Sequence, residues 1–370
     1  MSYRIAGVGL FNPSRERLWF RGMEWIIPKY SNAVIDKAGA RLVKPKAWLD
    51  EEDFGNALDI VENHRAAHSF PLLVFRMGLS HRAKKIDSDV VVAQRIKRLS
   101  SLEFKLRRFP TMRLSHMQDI GGCRAVVRSV PMVRRLVASY KKSSIKHKRL
   151  RIVDYIKQPR DSGYRGVHLI YSYYSDRKPT FNGLKIEVQL RSGPQHAWAT
   201  AVETIDAFTG QALKGGKGGR EWQRFFALMG TYIARKEKTP IVPDTPSTDS
   251  GLRGGIMYLA RTLEVDSHLQ AYQATLQSLE RDVKGASYYL LELDSKEWTA
   301  NITGFKRAQL EVALSRYAEA EKRNAEKPGL DAVLVSAASL EELKRVYPNY
   351  LADTHVFLGI LREAVSGPNR

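Results

Sequence analysis

The chain has 370 residues, 43% of them hydrophobic, enough for one large domain or two ordinary ones with their own cores. A single cysteine, Cys123, excludes an internal disulfide framework and any cysteine-rich zinc site, and fits a reducing cytoplasm. The formal net charge of +21 is self-repelling without a polyanionic partner, which leaves nucleic acid, nucleotides and acidic membrane surfaces as candidates. No apolar run reaches the length of a membrane span, and the first twenty residues show no small-residue cleavage pattern, so neither a span nor a signal peptide is predicted.

Residues 1–90 are predicted to be mostly helical after a short extended start. In EEDFGNALDIVENHRAAHSFPLLVFRMGL the apolar residues recur at helical spacing, and Pro71 is expected to break or kink the run. Residues 90–109, VVVAQRIKRLSSLEFKLRRF, read as one basic amphipathic helix with a local break, ended by Pro110. From 117 the period changes. CRAVVRSV, RLRIVDYI, GVHLIYSYY and LKIEVQLR are short β-branched or aromatic runs that read as strands, with a helix over VRRLVASYKKSS between the first two. GPQHAWATAVETIDAF and REWQRFFALMGTYIARKE read as helices around the basic loop LKGGKGGR. The Pro, Ser, Thr and Gly-rich stretch near 238–255 is the best linker candidate. Beyond it come a long helical pattern over 256–284, a hairpin pair (SYYLLELD and EWTANITGF), a helix over KRAQLEVALSRYAEAEKRN, a short buried strand DAVLVSA and a helical tail.

This pattern predicts an α+β protein. A mixed sheet flanked by helices occupies 1–240, a linker 241–255, and a small α+β unit 256–370.

Four groups of residues carry chemistry. As a strand, KIEVQLR puts Ile186, Val188 and Leu190 on a core face and Glu187, Gln189 and Arg191 in one row on the other. An isolated acid and guanidinium are most often a plain salt bridge. Asp119 stands before Gly121 and Gly122, small residues that let a ligand approach closely. Its carboxylate is equally suited to hold a hard divalent ion or to cap a local turn. Arg95, Lys97, Ser101 and Lys105, with Arg98, Arg107 and Arg108, form a basic stretch able to grip a triphosphate or a nucleic-acid backbone, or simply a solvated helix face. In SGYRGVHLIY, Tyr164 offers a ring for stacking a base, and His168 a hydrogen bond to a phosphate or sugar.

Together these pieces resemble the RelA/SpoT-type pyrophosphokinase family, the alarmone synthetases. The resemblance rests on R-x-K-x-x-x-S-x-x-x-K (Arg95, Lys97, Ser101, Lys105), D-x-x-G-x-R (Asp119, Gly122, Arg124), G-Y-x-x-x-H (Gly163, Tyr164, His168) and E-x-Q-x-R (Glu187, Gln189, Arg191), with a trailing H-x-W-A (His196, Trp198, Ala199). It covers roughly residues 90–205. It implies a nucleotidyltransferase-like synthetase domain that transfers pyrophosphate from ATP to a ribose 3′-hydroxyl. Arg95 would pin the adenine, and Lys97, Ser101 and Lys105 the phosphates, with Arg124 beside them. Asp119 and Glu187 would bind Mg²⁺, Glu187 alternatively serving as base. Tyr164 would stack on the acceptor base, with His168, Gln189 and Arg191 orienting phosphates and acceptor. No paired metal-binding histidines of a hydrolase half are seen near the N-terminus.

Two acceptors are open: GDP or GTP, giving an alarmone, and the 3′ CCA end of tRNA. The basic run KKSSIKHKRLR, containing Lys146, Lys148 and Arg149, together with Lys157, Arg160 and Arg165, favours the wide polyanion. Near the end, Tyr347 and Tyr350 form a Y-x-x-Y motif around a turn-prone Pro-Asn pair. This resembles the fused toxin–antitoxin members of the family, the CapRel type. The likeness implies a C-terminal pseudo-zinc-finger domain that covers the ATP site until a phage capsid protein binds it. A rival of another class is a non-catalytic RNA-binding protein, which needs neither Asp119 nor Glu187.

Overall fold

The computed structural model describes residues 25–44, 51–97, 99–209, 219–267, 269, 285–286, 288–294, 299–325, 330–336 and 354–366. Within these, the first half is organised on a five-stranded sheet. Its strands are β1 (Val91–Ile96), β2 (Gly121–Val127), β3 (Lys148–Asp154), β4 (Val167–Ser172) and β5 (Lys185–Ser192), in the order β1-β2-β5-β4-β3. Only β2 and β5 run parallel; the other pairs are antiparallel. All four strands predicted between 117 and 191 are present.

The alternation in KIEVQLR sets the two faces. Ile186, Val188 and Leu190 are fully buried and join Cys123, Ala125, Leu169 and Tyr171 in one core. Helices α3 (Ser69–Lys84) and α5 (Val130–Lys141) cover this face with Leu72, Phe75, Val133 and Leu136. α5 takes Pro131 in its first turn, where no amide partner is lost. The preceding α2 (Glu51–Ala67) ends just before α3, so the break falls at His68 and Pro71 sits in the first turn of the new helix.

Residues 90–109 differ from the expectation of one helix. Val91–Ile96 is a strand, and only Leu99–Arg108 is helical (α4). The β-branched start VVVAQRI favours a strand, and β1 gains a full ladder against β2, which outweighs the basic helical pattern. α4 packs Leu102 and Leu106 against Ile35, Ala38 and Leu42 of α1 (Asn32–Leu42).

A second core gathers α6 (Gly193–Thr209), α7 (Arg220–Lys236), α8 (Asp249–Thr262) and α10 (His355–Ser366). Phe225 and Phe226 of α7 meet Phe357 of α10. The expected linker is partly ordered structure. Residues 249–255 open α8, capped by Thr248, whose Oγ1 accepts the Gly251 N–H at 3.2 Å. Before it, Val242 is fully buried, and Arg224 and Arg235 donate to the carbonyls of Asp244 and Pro246. The helix expected over 256–284 is interrupted after Thr262, where Glu264 turns to a positive φ of 46°; residues 265–267 are helical again, and 270–284 lie outside the described residues. A separate antiparallel sheet, β7 (Thr299–Phe305), β6 (Tyr288–Asp294) and β8 (Leu330–Ser336), packs on α9 (Leu310–Ala325), as the hairpin, helix and strand pattern predicts.

Candidate active site

The face opposite the first core carries the polar row. The register places Gly122 of β2 beside Glu187 of β5, and Arg124 beside Gln189. Arg95 of β1 pairs with Gly122, and on β4 His168 pairs with Gln189. Four motifs that are far apart in sequence therefore share one face. Gly122 leaves a gap in the row: a Cβ there would meet only the Glu187 carbonyl oxygen, at 3.9 Å. The opening over the strand lies between Arg95 and Glu187.

One end of the row is a charge cluster. Lys97 closes β1 by donating its N–H to the Ile120 carbonyl, and its Nζ reaches Asp119 Oδ2 at 2.9 Å. Lys105, on the second turn of α4, reaches Oδ1 at 2.9 Å. Asp119 lies just before β2 rather than within it. Burial alone would raise its carboxyl, but the two ammonium groups more than offset this and hold it well below the usual carboxylate range. Burial lowers Lys97, and Asp119 restores part of the loss. Ser101 shares the α4 face with Lys105.

The other end is a hydrogen-bonded chain. Glu187 Oε1 accepts from His168 Nδ1 at 2.8 Å, and Oε2 accepts from Gln189 Nε2 at 2.6 Å. Arg191 Nη2 donates to Gln189 Oε1 at 3.1 Å and to Tyr164 Oη at 2.9 Å. Tyr164 Oη in turn lies 2.5 Å from His168 Nε2, and the Arg191 guanidinium stands over the Tyr164 ring. Burial opposes charge on Glu187, yet His168 and the Gln189 amide keep its pKa lowered, while Asp119 is near enough to push it up. Burial disfavours a charged His168, but the Tyr164 and Glu187 oxygens outweigh that and raise it. Tyr164 is lowered, chiefly by Arg191 and His168 against its own burial.

Glu187 thus feels the charge of Asp119, which stands two residues before the strand β2 that bears Gly122. Two hard carboxylates beside an open floor suit Mg²⁺, which takes one or two protein carboxylates and completes its shell with water and substrate phosphates. Among the described residues no group of three or more acids, histidines or cysteines could hold a metal, so substrate oxygens would have to complete the shell.

Several predicted acceptor residues lie elsewhere. Arg165 is 2% exposed and points inward, donating to Thr239 Oγ1 at 3.0 Å and to the Pro240 carbonyl. Arg149 pairs with Tyr171, on the face of the first core, and donates to the Tyr140 carbonyl at 3.4 Å. Lys146 is ion-paired with Asp176 on the surface. Of the basic stretch expected to grip a triphosphate, Arg107 instead donates to the Val43 and Leu42 carbonyls at the end of α1, a structural role. Lys148 does face the site side, opposite Ser172, and Lys157 is exposed. Arg98, Tyr347 and Tyr350 lie outside the described residues.

Two site residues are not singled out in the sequence: Arg151, which only closes the predicted basic run 141–151, and Tyr155. Arg151 pairs with Ile170, itself the partner of Glu187, so it stands on the site face two strands from Glu187, about 10 Å along the sheet. A bulge between Arg149 and Arg151 separates these two residues onto opposite faces, which simple alternation does not foresee. Tyr155 sets its ring edge-on to both Tyr164 and His168, with Arg160 stacked over it at 4.5 Å.

Residues 94–206, the segment from β1 to α6, match the family described as the region found in RelA / SpoT proteins. The matched segment contains every member of the row. A curated relative, GTP pyrophosphokinase YjbM of Bacillus subtilis (strain 168), is 28% identical over 120 residues, 31% of this chain and 55% of the relative. GTP pyrophosphokinase YwaC of the same organism is 31% identical over 93 residues, 24% of this chain and 42% of the relative. The chain spans about half the length of the curated relatives it matches. Among solved structures, small alarmone synthetase 1 from Bacillus subtilis is similar over 46% of this chain and 88% of that one, at 19% identity and a TM-score of 0.40. A GTP pyrophosphokinase family protein from Streptococcus pneumoniae is similar over 45% and 84%, at 23% identity and 0.39.

Proposed function

We propose that this protein is an ATP-dependent pyrophosphokinase that transfers pyrophosphate to a ribose 3′-hydroxyl. The observation that carries the reading is the shared face: Asp119 and Glu187 flank an open floor at Gly122, with lysines at one end and the tyrosine–histidine network at the other. The match of residues 94–206 to the RelA / SpoT region supports it. The acceptor's 3′-oxygen attacks the β-phosphorus of ATP, the bond from that phosphorus to the α-bridging oxygen breaks, and AMP leaves. Such transfers need positioning and charge more than covalent chemistry. Lys97, Ser101 and Lys105 hold the phosphates, and Arg95 and Arg124 border them. Glu187, kept ionised by His168, takes the hydroxyl proton, and Tyr164 supplies the stacking surface. Mg²⁺, which Asp119 would hold, with Glu187 as a second ligand only in the alternative to its role as base, would neutralise phosphate charge.

The acceptor we assign is the 3′ CCA end of tRNA, whose modification stops translation. Exposed Lys148, Arg151, Lys157 and Arg160 extend positive charge away from the acceptor side, a strip longer than a mononucleotide requires. A second reading, alarmone synthesis on GDP or GTP, is favoured by the names of the curated relatives. ATP labelled in the γ-phosphate, incubated with deacylated tRNA or with GDP, decides: label in RNA supports the first, label in the guanosine nucleotide the second. ATP turnover that releases no AMP would sink both.

We further propose that the C-terminal part restrains this activity through Tyr347 and Tyr350, and that a phage capsid protein lifts the block. The docking of α10 on α7 and α8 brings residues 355–366 back to the helices behind Tyr164, which supports such a link. Tyr347→Ala combined with Tyr350→Ala should make expression of the protein more toxic to cells. Unchanged growth would count against restraint by this motif.

A further inference from the structure

The Tyr164–Arg191 contact is made by two residues whose sequence neighbours are both fastened to one turn that lies outside the RelA / SpoT match. That turn, residues 237–240, follows α7. Lys238 takes a left-handed φ of 52°, an uncommon conformation for a side chain with a Cβ, and this reverses the chain onto the sheet. Thr239 is fixed by its N–H to the Ala234 carbonyl at 2.9 Å.

From the Tyr164 side, Arg165 enters the turn and bonds Thr239 and Pro240. From the Arg191 side, Ser192 Oγ donates to Glu237 Oε1, and Gln195 Nε2 donates to Oε2 at 2.8 Å. Gln195 Oε1 also accepts the Ser192 N–H at 3.2 Å. Arg165 and Glu237 make no ion pair, yet the guanidinium favours the ionised acid, whose pKa burial raises. On the other side of Tyr164, Gly163 rests directly on α7. A Cβ on Gly163 would lie 2.6 Å from the Phe226 carbonyl oxygen, and one on Gly230 would lie 2.8 Å from Gly163 Cα. Tyr164 is therefore clamped before and after by α7 and its terminal turn.

A buried guanidinium with Nε and Nη1 lacking a hydrogen-bond partner is costly, and a fold that only needed a filled volume would place an apolar side chain there. A charge tied to a backbone carbonyl and a hydroxyl fixes direction as well as volume. We infer that Arg165 and Glu237 are positioning residues: they set the Tyr164–Arg191 geometry, and with it the acceptor half of the site, without touching ATP. This rests on the reading of Tyr164 and Arg191 as acceptor-side groups.

The test uses the full chain with Arg165→Met, Glu237→Gln and the double variant R165M/E237Q, which leaves no lone buried charge. Acceptor kcat/KM, measured with whichever of tRNA or GDP takes label, should fall about a hundredfold, as for a small misplacement of a reacting group. The Kd of a non-hydrolysable ATP analogue should stay within about twofold, since the lysine cluster shares no partner with the turn. Equal losses in ATP and acceptor terms, or full transfer in all three variants, would overturn the inference. If neither the wild-type chain nor its Tyr347→Ala/Tyr350→Ala form labels either acceptor, the functional reading fails, and hydrogen exchange then decides on the positioning role alone. Faster exchange in the double variant confined to residues 162–166 and 191–192 supports it; unchanged or molecule-wide exchange overturns it.

Discussion

The two ends of the polar row are built on different principles. At the end proposed for ATP, Lys97 and Lys105 hold Asp119 by charge, one bond each, on side chains that are 16% and 28% exposed. Such contacts are strong but loosely directional, and each ammonium can exchange a carboxylate for a phosphate without moving the backbone. At the end proposed for the acceptor, Glu187, His168, Tyr164, Arg191 and Gln189 form a closed ring of five hydrogen bonds in which every group fixes its neighbours. That end is preorganised. The contrast teaches where substitutions should act: on binding strength at the first end, on the chemical step at the second.

The largest effect is expected at the ring. Glu187→Gln keeps the shape and a hydrogen-bonding side chain but removes the proposed base. AMP release should fall on the order of 10³-fold, with little change in KM for ATP. Retained transfer would strip Glu187 of its role. A smaller effect is expected from Lys97→Met or Lys105→Met. Each removes one phosphate-binding charge, so KM for ATP should rise roughly tenfold to a hundredfold while the acceptor KM holds. A rise confined to the acceptor KM would erase the proposed division between the ends.

Much of this layout is legible in the sequence because period and spacing carry it. KIEVQLR announces its two faces, and the Gly122 gap follows from a glycine at a strand start. What was not legible depends on register and on contacts made late in the chain. Arg149 and Arg151 look equivalent until a bulge divides them. Arg165 looks like a surface cation in a glycine-flanked turn. Only the return of residues 239–240, seventy-odd positions downstream, turns it inward. Arg95 and Lys97 look helical in the sequence because the basic amphipathic pattern masks a β-branched start whose strand is completed by pairing with β2.

The smallest effect separates the two faces of the sheet by their histidines. On the site face, His168 is raised, so its contribution to stability is full below its unfolded value near 6.5 and fades as pH climbs through the folded one. Against the opposite face, His68 packs beside Gly121, and His64 meets it edge-on at 4.9 Å. Burial lowers His64 to about 4 and His68 to about 3, Asp36 drawing His64 slightly back up and His64 and Lys185 adding to the shift of His68. Both are neutral in the folded protein at pH 7 and would charge on unfolding, so their contribution is present above about 6.5 and is lost as pH falls toward 4. For His64 the loss is roughly 3 kcal/mol or less over that range. Asp119, whose folded pKa lies lower still, does not enter until the solution is more acid than about 4. His64→Leu replaces a ring whose two nitrogens have no hydrogen-bond partner, so it should fold at pH 7 and lose less Tm than the wild type between pH 7 and 5. Scanning calorimetry at those two pH values reads the difference. Equal drops in the two proteins would place the acid sensitivity somewhere other than this histidine.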